Sequence, residues 1–342
     1  MTIVEAIERV ANRKSLKESE AREVMAQVMD GEATPSQIAA LLVALRMKGE
    51  TETEMVGFAR EMRARVLPVK TKHSIIVDTC GTGGDCVKTF NLSTAAAIVA
   101  SAAGAVIAKH GNRAVTSRCG SADVLEFLGV NLNLGPYEAG KLLDEIGLAF
   151  LFAPNYHPAM KHAATPRKEM KLRTVFNLLG PLTNPAGADR QLIGVFSPAL
   201  VPKLGNVLKR LGAKRAVVAH GKIGIDEVSP IGSTCMVIYD GNRISDREMA
   251  ATDFGIEPPS LAEIAAVESV EGNALKLRRA LTDVHSPEAR AVLPGAGVAL
   301  WLAEKAESFS EGVKIASKAI ESGKAHEKLE RLIRYSNEFA TQ

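Results

Sequence analysis

Residues 1–70 carry apolar positions at helical spacing and contain no alternating stretch that would indicate a strand. Ile3, Ile7 and Val10 lie on one helical face. Further helices are predicted over residues 18–29, capped by Ser15, over 37–48, and from Thr51 or Thr53 to Arg65. Pro35 follows Thr34 at a first helical position, where its missing N–H costs nothing. We therefore expect a small all-helical domain over residues 1–70.

After residue 72 the pattern changes to short apolar runs that alternate with amphipathic segments. Strands are predicted at residues 74–77, 105–108, 148–152, 191–196 and 215–219. Helices are predicted at residues 95–103, 122–128, 139–146 and 200–211, and residues 260–341 are again largely helical. Such alternation predicts a mostly parallel central sheet covered by helices on both faces. The predicted fold class is α/β, with a small all-helical domain and a large α/β domain over residues 73–342.

Composition excludes several classes of protein. A length of 342 residues fits about two domains, and a net charge of +3 without a Lys/Arg run gives no case for a nucleic-acid partner. We expect no signal peptide and no membrane span, because no apolar run is long enough. The four cysteines lack the spacing of a zinc site or a disulfide framework, so a cytoplasmic location is expected.

A glycine-rich loop follows the first predicted strand and reads Gly81-Thr-Gly-Gly-Asp85. Asn91-Leu-Ser-Thr94 then opens a helix of small residues, with Asn91 as the expected capping side chain. Glycines let backbone N–H groups approach an anion closely, and a helix N-terminus favours phosphate. The loop is neither a Walker A motif nor a dinucleotide fingerprint, because no Lys follows the glycines and Cys86 stands at the third glycine position. A cradle for a phosphorylated ligand is predicted, and a plain structural turn is the alternative.

A second polar loop is predicted after the strand at residues 105–108. It contains Lys109, His110, Asn112, Arg113, Thr116 and Ser117. Cationic and hydroxyl donors together suit phosphate oxygens. Ser121 begins the next helix and offers a further seat for an anion. A solvated basic loop is the alternative interpretation.

Two more groups carry candidate chemistry. Asp226 and Glu227 follow a strand end, where two carboxylates beside phosphate suit Mg²⁺, and we expect both acids to face solvent. Lys161, His162 and Arg167 lie on or beside one helix, and the fork of Arg167 matches a planar carboxylate. Ordinary surface charge is the alternative in both cases.

These blocks, in this order, resemble the anthranilate phosphoribosyltransferase family of tryptophan biosynthesis. The matching motifs also include Lys109-His-Gly-Asn-Arg113, Gly120-Ser-Ala-Asp-Val-Leu-Glu126, His157-Pro-Ala-Met-Lys-His162 and residues 173–186. The resemblance implies a pentosyltransferase that joins 5-phosphoribosyl 1-diphosphate (PRPP) and anthranilate, with two Mg²⁺ ions per subunit and no dedicated acid or base. It also implies the fold of nucleoside phosphorylases, a homodimer formed through the helical domain, and a return of residues 167–187 to that domain. Cys86 departs from the glycine common in the family.

The resemblance assigns the site residues as follows. PRPP would be bound by Gly81, Gly84, Asp85, Thr89, Asn91, Leu92, Ser93, Thr94, Lys109, His110, Gly111, Asn112, Arg113, Ala114, Val115, Thr116, Ser117 and Ser121. Anthranilate would be bound by Gly81, His110, Asn112 and Arg167. The metal ligands would be Ser93, Asp226 and Glu227. Two alternatives with the same fold are a pyrimidine nucleoside phosphorylase and a paralogue that binds nucleic acid.

Overall fold

Four helices open the chain. The computed structural model describes residues 1–84, 86–113 and 119–340. The helices are α1 (Ile3–Ala11), α2 (Glu18–Asp30), α3 (Pro35–Lys48) and α4 (Glu52–Ala64). Thr51, rather than Thr53, caps α4 by accepting a hydrogen bond from the Glu54 N–H. The cap of α2 is Lys17 instead of Ser15, because the Glu20 side chain accepts a hydrogen bond from the Lys17 N–H at 2.7 Å.

Within the described residues, seven strands form a single sheet. They are β1 (Val77–Thr79), β2 (Ile107–Gly111), β3 (Leu148–Phe152), β4 (Arg190–Gly194), β5 (Arg215–Gly221), β6 (Ser233–Tyr239) and β7 (Ile244–Ala250). Their order is β3-β2-β1-β4-β5-β6-β7, with β1 to β5 parallel and β6 and β7 antiparallel. The prediction of a mostly parallel sheet is confirmed, whereas the β6–β7 hairpin was not predicted.

The second strand differs from its prediction in a way that concerns the site. It runs through Lys109 and His110 to Gly111, whereas the apolar run ended at Ala108. These three residues pair in parallel register with β3, opposite Phe150, Leu151 and Phe152. Pairing with β3 satisfies the backbone of polar residues that the pattern placed in a loop. Lys109 and His110 are therefore held by the sheet.

Twelve further helices, also within the described residues, follow. They are α5 (Leu92–Ala102), α6 (Ser121–Phe127), α7 (Pro136–Ile146), α8 (Ala153–Tyr156), α9 (Lys161–Met170), α10 (Val175–Leu179), α11 (Leu200–Arg210), α12 (Leu261–Ile264), α13 (Val270–Thr282), α14 (Pro287–Leu302), α15 (Phe309–Glu321) and α16 (Lys324–Ala340). Among the described residues, no helix combines the length and the apolar character needed to cross a lipid bilayer.

Two apolar clusters cover the two faces of the sheet. Leu192 and Val217 point into a cluster with helices such as α5 and α14, whereas Ile193 and Val218 point into a cluster with α1 to α4, α10 and α11. Successive residues of a strand face opposite sides, which explains this division. The core of the N-terminal helices is therefore continuous with one face of the sheet.

Candidate active site

The glycine loop after β1 is fixed to the neighbouring strand. Thr82 N–H donates to the carbonyl of Gly194 at 2.8 Å, beyond the end of the β1–β4 pairing. Gly83 and Gly84 have φ values of 66° and 86°, which side-chain-bearing residues rarely adopt. The Gly83 N–H donates to Oδ2 of Asp226 at 2.7 Å. The loop thus lies at the carboxyl edge of the parallel strands, as predicted.

The acid pair approaches this loop from the segment between β5 and β6. Besides the Asp226 contact with Gly83, Oε1 of Glu227 accepts a hydrogen bond from the Ser93 N–H at 3.2 Å. A Cβ on Gly81 would lie 2.7 Å from Oδ2 of Asp226, and one on Gly194 would lie 1.6 Å from the Asp226 carbonyl oxygen. Glycine at both positions therefore lets the segment that carries Asp226 and Glu227 approach the glycine loop and β4 closely.

The expectation that both acids face solvent is wrong for Asp226. Only 9% of this residue is exposed, because the acid segment packs against the glycine loop and β4. Glu227 is half-buried. The pair is therefore built into the site.

Lys109 supplies a positive charge beneath the same edge. Its side chain is buried, and Nζ donates hydrogen bonds to the Thr79 carbonyl and, at 3.2 Å, to Oγ of Ser93. A small cavity opens between these groups and is lined by Thr79, Cys80, Gly81, Ser93, Leu192, Gly194, Glu227 and Val228. We call Gly83, Ser93, Lys109, Asp226 and Glu227 the carboxylate region.

The oxygen donors of this region fit a hard cation. Ser93 offers a hydroxyl and Glu227 a carboxylate at the small cavity, and the Asp226 carboxylate lies against the adjoining glycine loop. No group of three or more His, Cys, Asp or Glu residues suited to a metal ion occurs in residues 1–84, 86–113 and 119–340. Mg²⁺ usually takes one or two protein carboxylates and completes its shell with water and substrate oxygens. The donor set therefore matches Mg²⁺ that binds together with a phosphate.

The start of α5 differs in detail from its prediction. Asn91 is the N-cap residue, but its side chain makes no capping hydrogen bond. The prediction that this side chain caps the helix is therefore wrong. The Ser93 N–H instead donates to Glu227, which takes over part of the capping role. The Thr94 hydroxyl is buried without a hydrogen-bond partner among the described residues. Leu92 is buried, and Thr89 forms an isolated bridge with Ala265.

The polar loop after β2 is only partly described. The predicted PRPP-binding residues Asp85, Ala114, Val115, Thr116 and Ser117 lie outside the described residues. The Arg113 guanidinium contacts Asp123 at 2.9 Å and Glu126 at 2.8 Å, and these contacts raise its pKa. It is thus directed to carboxylates of α6 here. Ser121 begins α6 as predicted, and its hydroxyl donates to the Asn112 carbonyl at 3.3 Å.

Gly111 closes β2 where space is tight. A Cβ on Gly111 would lie 2.5 Å from the Phe150 ring and 2.8 Å from Oγ of Ser121. Any larger residue would push the strand end away from α6. Glycine thus keeps the predicted residues Asn112 and Ser121 together.

Buried polar side chains lie beside this strand end. Asp78 is fully buried, and its Oδ1 accepts a hydrogen bond from the His110 N–H at 3.0 Å. Burial raises the Asp78 pKa to about 6. The ring centroids of His110 and His157 are 5.1 Å apart. Burial lowers their pKa values to about 3 and about 4, so both imidazoles are neutral near pH 7.

The tautomer of His110 follows from its neighbour. Nδ1 lies 3.2 Å from the Gly180 carbonyl, which can only accept a hydrogen bond. The proton therefore lies on Nδ1, and Nε2 is an acceptor with no partner among the described residues. Asp78 and His157 had no role in the sequence-based predictions. The sequence signals that could have found them are a carboxylate directly after the predicted strand at residues 74–77 and the first residue of the motif His157-Pro-Ala-Met-Lys-His162.

Arg167 lies on α9 and contacts Phe176 of α10, and His110 contacts Gly180 directly after α10. Its guanidinium carbon is 5.0 Å from the centre of the Phe176 ring, and burial lowers its pKa. In the described part of the chain, no hydrogen bond or ion pair joins its guanidinium to another residue. His162 packs on Gly31 of the helical bundle, and Lys161 is exposed. We call Asp78, His110, His157, Arg167 and Phe176 the imidazole region.

Comparisons with known proteins agree with this architecture. A profile described as "Glycosyl transferase family, helical bundle domain" matches residues 4–66, and one described as "Glycosyl transferase family, a/b domain" matches residues 73–326. The anthranilate phosphoribosyltransferase of Moorella thermoacetica is 47% identical over 334 residues, covering 98% of each chain. The one from Geobacter sp. strain M21 is 46% identical and covers 98% of this chain and 99% of its own.

Solved structures give the same result. The anthranilate phosphoribosyltransferase from Thermus thermophilus is 42% identical, with a TM-score of 0.91 over 97% of this chain and 99% of its own. The enzyme from Saccharomyces cerevisiae, solved in complex with PRPP and Mg, is 26% identical, with a TM-score of 0.88 over 98% of each chain.

The fold and the matches define the chain as a glycosyl transferase with a helical bundle and an α/β part. Within that class it belongs to the anthranilate phosphoribosyltransferase family. The resemblance found in the motifs is confirmed. The pyrimidine nucleoside phosphorylase and the nucleic-acid-binding paralogue are not favoured by these relatives.

Proposed function

We propose that the chain transfers the 5-phosphoribosyl group of PRPP to the amino group of anthranilate, giving N-(5-phosphoribosyl)anthranilate and pyrophosphate. In this step the bond from C1 of the ribose to the pyrophosphate oxygen breaks and a C1–N bond forms. The amine then loses one proton to water, because no dedicated base is proposed. The observation that carries the proposal is the meeting of the glycine loop, the N-terminus of α5 and the acid pair through Gly83–Asp226 and Ser93–Glu227 contacts.

The carboxylate region holds the diphosphate end of PRPP in this proposal. Ser93, Asp226 and Glu227 are the Mg²⁺ ligands, and we propose two ions per subunit. When bound, Mg²⁺ would neutralise the negative charge that develops on the leaving pyrophosphate. Lys109 and the glycine loop position the phosphate oxygens, and no dedicated acid or base is needed. The remaining proposed PRPP contacts are Gly81, Gly84, Thr89, Asn91, Leu92, Thr94, His110, Gly111, Asn112, Arg113 and Ser121, with Asp85 and residues 114–117.

The imidazole region, with Gly81 and Asn112, receives anthranilate. The donor fork of the Arg167 guanidinium makes no hydrogen bond within the described residues, and it matches the carboxylate of anthranilate. Nε2 of His110 accepts a hydrogen bond from the amino group, since its proton lies on Nδ1. A neutral imidazole does this without repelling the Arg167 charge. The aryl amine is itself neutral, so positioning supplies much of the catalysis.

A fluorescence assay tests the function. Anthranilate fluorescence should fall only when PRPP and Mg²⁺ are both present, and a chelator should stop the decrease. Ribose 5-phosphate in place of PRPP is the matched negative control, because it lacks the leaving group. No consumption of anthranilate by a well-folded sample would overturn the proposal. Turnover of thymidine with phosphate would favour the nucleoside phosphorylase instead.

The division into domains is a further part of the proposal. Residues 1–70 with the returning segment 167–187 form the small domain, and residues 73–342 form the large one. The connector supports this, since Leu67 N–H donates to the Tyr156 carbonyl and Val69 N–H to the Pro185 carbonyl, so both crossings lie together. PRPP and Mg²⁺ should favour a more compact form. An unchanged radius of gyration in small-angle scattering at saturation would contradict this closure.

We also propose a homodimer formed through the helical domain. Val4 on α1 and Met47 on α3 are 56% and 69% exposed, although both are large and apolar. Val4→Glu with Met47→Glu should yield a monomer in light scattering. Leu275→Glu, at a residue of α13 that is 61% exposed, is the matched control and should keep the dimer. A monomeric mass for the unaltered chain would overturn this arrangement.

The proposed location is the cytoplasm. No disulfide joins two cysteines among the described residues, and burial raises the pKa of Cys80 above its ordinary value. A protonated buried thiol is inert, which suits a reducing compartment.

A further inference from the structure

Arg173 lies over the glycine loop, although no role has been given to it so far. It belongs to residues 171–174, which join α9 to α10. Its guanidinium carbon is 4.9 Å from the centre of the Phe196 ring. A Cβ added to Gly84 would lie 2.6 Å from Nε and 2.7 Å from Cζ of Arg173. The guanidinium is therefore held between the Phe196 ring and the backbone of the loop.

The donors of this guanidinium are not used within the described chain. Arg173 takes part in one hydrogen bond there, in which its main-chain carbonyl accepts from Nη1 of Arg46 at 2.7 Å. By contrast, the guanidinium groups of Arg113 and Arg190 contact carboxylates. The Arg46 contact anchors the backbone of Arg173 to α3 while its side chain stays exposed. The residue thus presents, beside the loop, a cation that pairs with no carboxylate of the described residues.

The charges around the loop define what this cation can bind. Asp226 and Glu227 place two carboxylates at the inner side, with Lys109 buried beneath them. A diphosphate in the loop therefore needs positive charge on its outer side too. Arg173 lies on that side, and its fork matches two phosphate oxygens at once. Stacking on Phe196 limits the motion of the guanidinium, which lowers the entropy lost on binding.

We propose that Arg173 is a further PRPP-binding residue whose guanidinium pairs with the diphosphate oxygens above Gly84. The inference rests on the proposed function, because it takes PRPP as the ligand. It also explains a feature of the loop: glycine at position 84 lets the guanidinium approach the backbone. The cation is carried by the segment between α9 and α10, so it reaches the diphosphate from the side of the helical bundle.

The test compares Arg173→Gln and Arg173→Lys with the unaltered chain in calorimetric titrations. The probes are pyrophosphate with Mg²⁺ and, separately, ribose 5-phosphate. Arg173→Gln should bind pyrophosphate about tenfold more weakly, since an exposed charge-assisted contact lies at the low end of its range. Arg173→Lys keeps the charge without the fork and should lose less. Ribose 5-phosphate should bind all three proteins equally.

Two further variants sharpen the comparison. Phe196→Leu removes the ring that supports the guanidinium and should weaken pyrophosphate binding less than Arg173→Gln does. Arg243→Gln removes an exposed arginine that pairs with Asp240 and should change nothing. In turnover assays, Arg173→Gln should raise the KM for PRPP and leave the KM for anthranilate unchanged. Circular dichroism and the thermal midpoint establish that each variant is folded.

Three results would overturn the role of Arg173. One is unchanged pyrophosphate binding by folded Arg173→Gln. Another is tighter binding, which would mean that the guanidinium covers the loop and must leave. The third is a selective loss of ribose 5-phosphate binding, which would place the residue at the other end of PRPP. Absence of turnover in the unaltered chain would instead reject the proposed function, while the pyrophosphate titrations would still test this residue.

Discussion

The carboxylate region and the imidazole region lie at the same edge of the sheet but handle buried polarity differently. In the carboxylate region, the acids take backbone N–H groups as partners, in the contacts of Asp226 with Gly83 and Glu227 with Ser93, and Lys109 donates to the Ser93 hydroxyl. In the imidazole region, burial keeps His110 and His157 neutral, and Arg167 rests on an aromatic ring. One region is thus suited to a charged, metal-bound ligand and the other to a planar aromatic one.

This difference follows from how each region is built. The acids come from a segment that glycines admit to the loop, and Glu227 lines the small cavity beside it. The imidazoles belong to the end of β2 and to the chain after α8, where neighbouring side chains exclude water. Desolvation disfavours the charged form of a base, and therefore the histidines lose their charge.

Removal of the two acids Asp226 and Glu227 should have the largest effect on turnover, and it tests whether the carboxylate region binds a metal ion. Asp226→Asn with Glu227→Gln keeps the shapes and the acceptors for Gly83 and Ser93, but removes the charges that are proposed to hold Mg²⁺. A metal ion that stabilises developing charge contributes several kcal/mol, so turnover should fall roughly a thousandfold. Initial rates at limiting and at saturating Mg²⁺ measure the effect.

The matched control for the acid pair is Asp246→Asn with Glu271→Gln, at two exposed acids outside the site. These changes lower the net negative charge equally and should leave the rate unchanged. Thermal melts should show that both double variants are folded. Near-normal activity of the Asp226/Glu227 variant at limiting Mg²⁺ would mean that the pair is not a metal site.

Arg167 tests the other region and has the next largest expected effect. Arg167→Ala removes the proposed charge-assisted contact with anthranilate, of a kind worth about 1.5–3 kcal/mol, so the KM for anthranilate should rise roughly ten- to a hundredfold. The KM for PRPP should stay nearly constant, because Arg167 is proposed to contact anthranilate and not PRPP. Lys168→Ala, at the exposed neighbouring residue, is the control. If Arg167→Ala loses PRPP affinity instead, the residue has been assigned to the wrong substrate.

Local patterns predicted the carboxylate region better than the imidazole region. The glycines, the start of α5 and the acids at a strand end each have a signature in a short stretch of sequence, although α5 starts at Leu92 and not at the predicted residue 95. By contrast, the contact between His110 and His157 joins β2 to the chain after α8, and the Arg167–Phe176 contact depends on how α9 meets α10. Such contacts depend on tertiary packing, which periodicity does not report.

The errors in the fold have the same origin. Strand β2 was predicted to end at Ala108 because Lys109 and His110 are polar, yet β3 pairs with both of them. The β6–β7 hairpin was missed although Ser233–Tyr239 contains several apolar residues. Its partner Ile244–Ala250 is largely polar and lies at the sheet edge, where one side faces solvent. Sheet position, which decides such cases, is a property of the whole fold.

The smallest expected effect is on the pH dependence of stability, and it comes from the buried histidines. It tests whether the imidazole region holds its side chains uncharged. His157 has an ordinary unfolded pKa of about 6.5 and a folded pKa of about 4. A base whose folded pKa is depressed contributes stability above its unfolded pKa, and this contribution is lost as the pH falls toward 4. At pH 5 the loss for His157 should be on the order of 2 kcal/mol in the free energy of unfolding.

His157→Asn cannot be protonated, so it should lose about 2 kcal/mol less than the unaltered chain between pH 7 and pH 5. Urea unfolding at both pH values measures this difference, and comparing slopes with pH removes any constant packing cost of the substitution. His285→Asn, at an exposed histidine, is the control and should follow the unaltered chain. An equal loss for His157→Asn and the unaltered chain would mean that His157 is not held neutral by the fold.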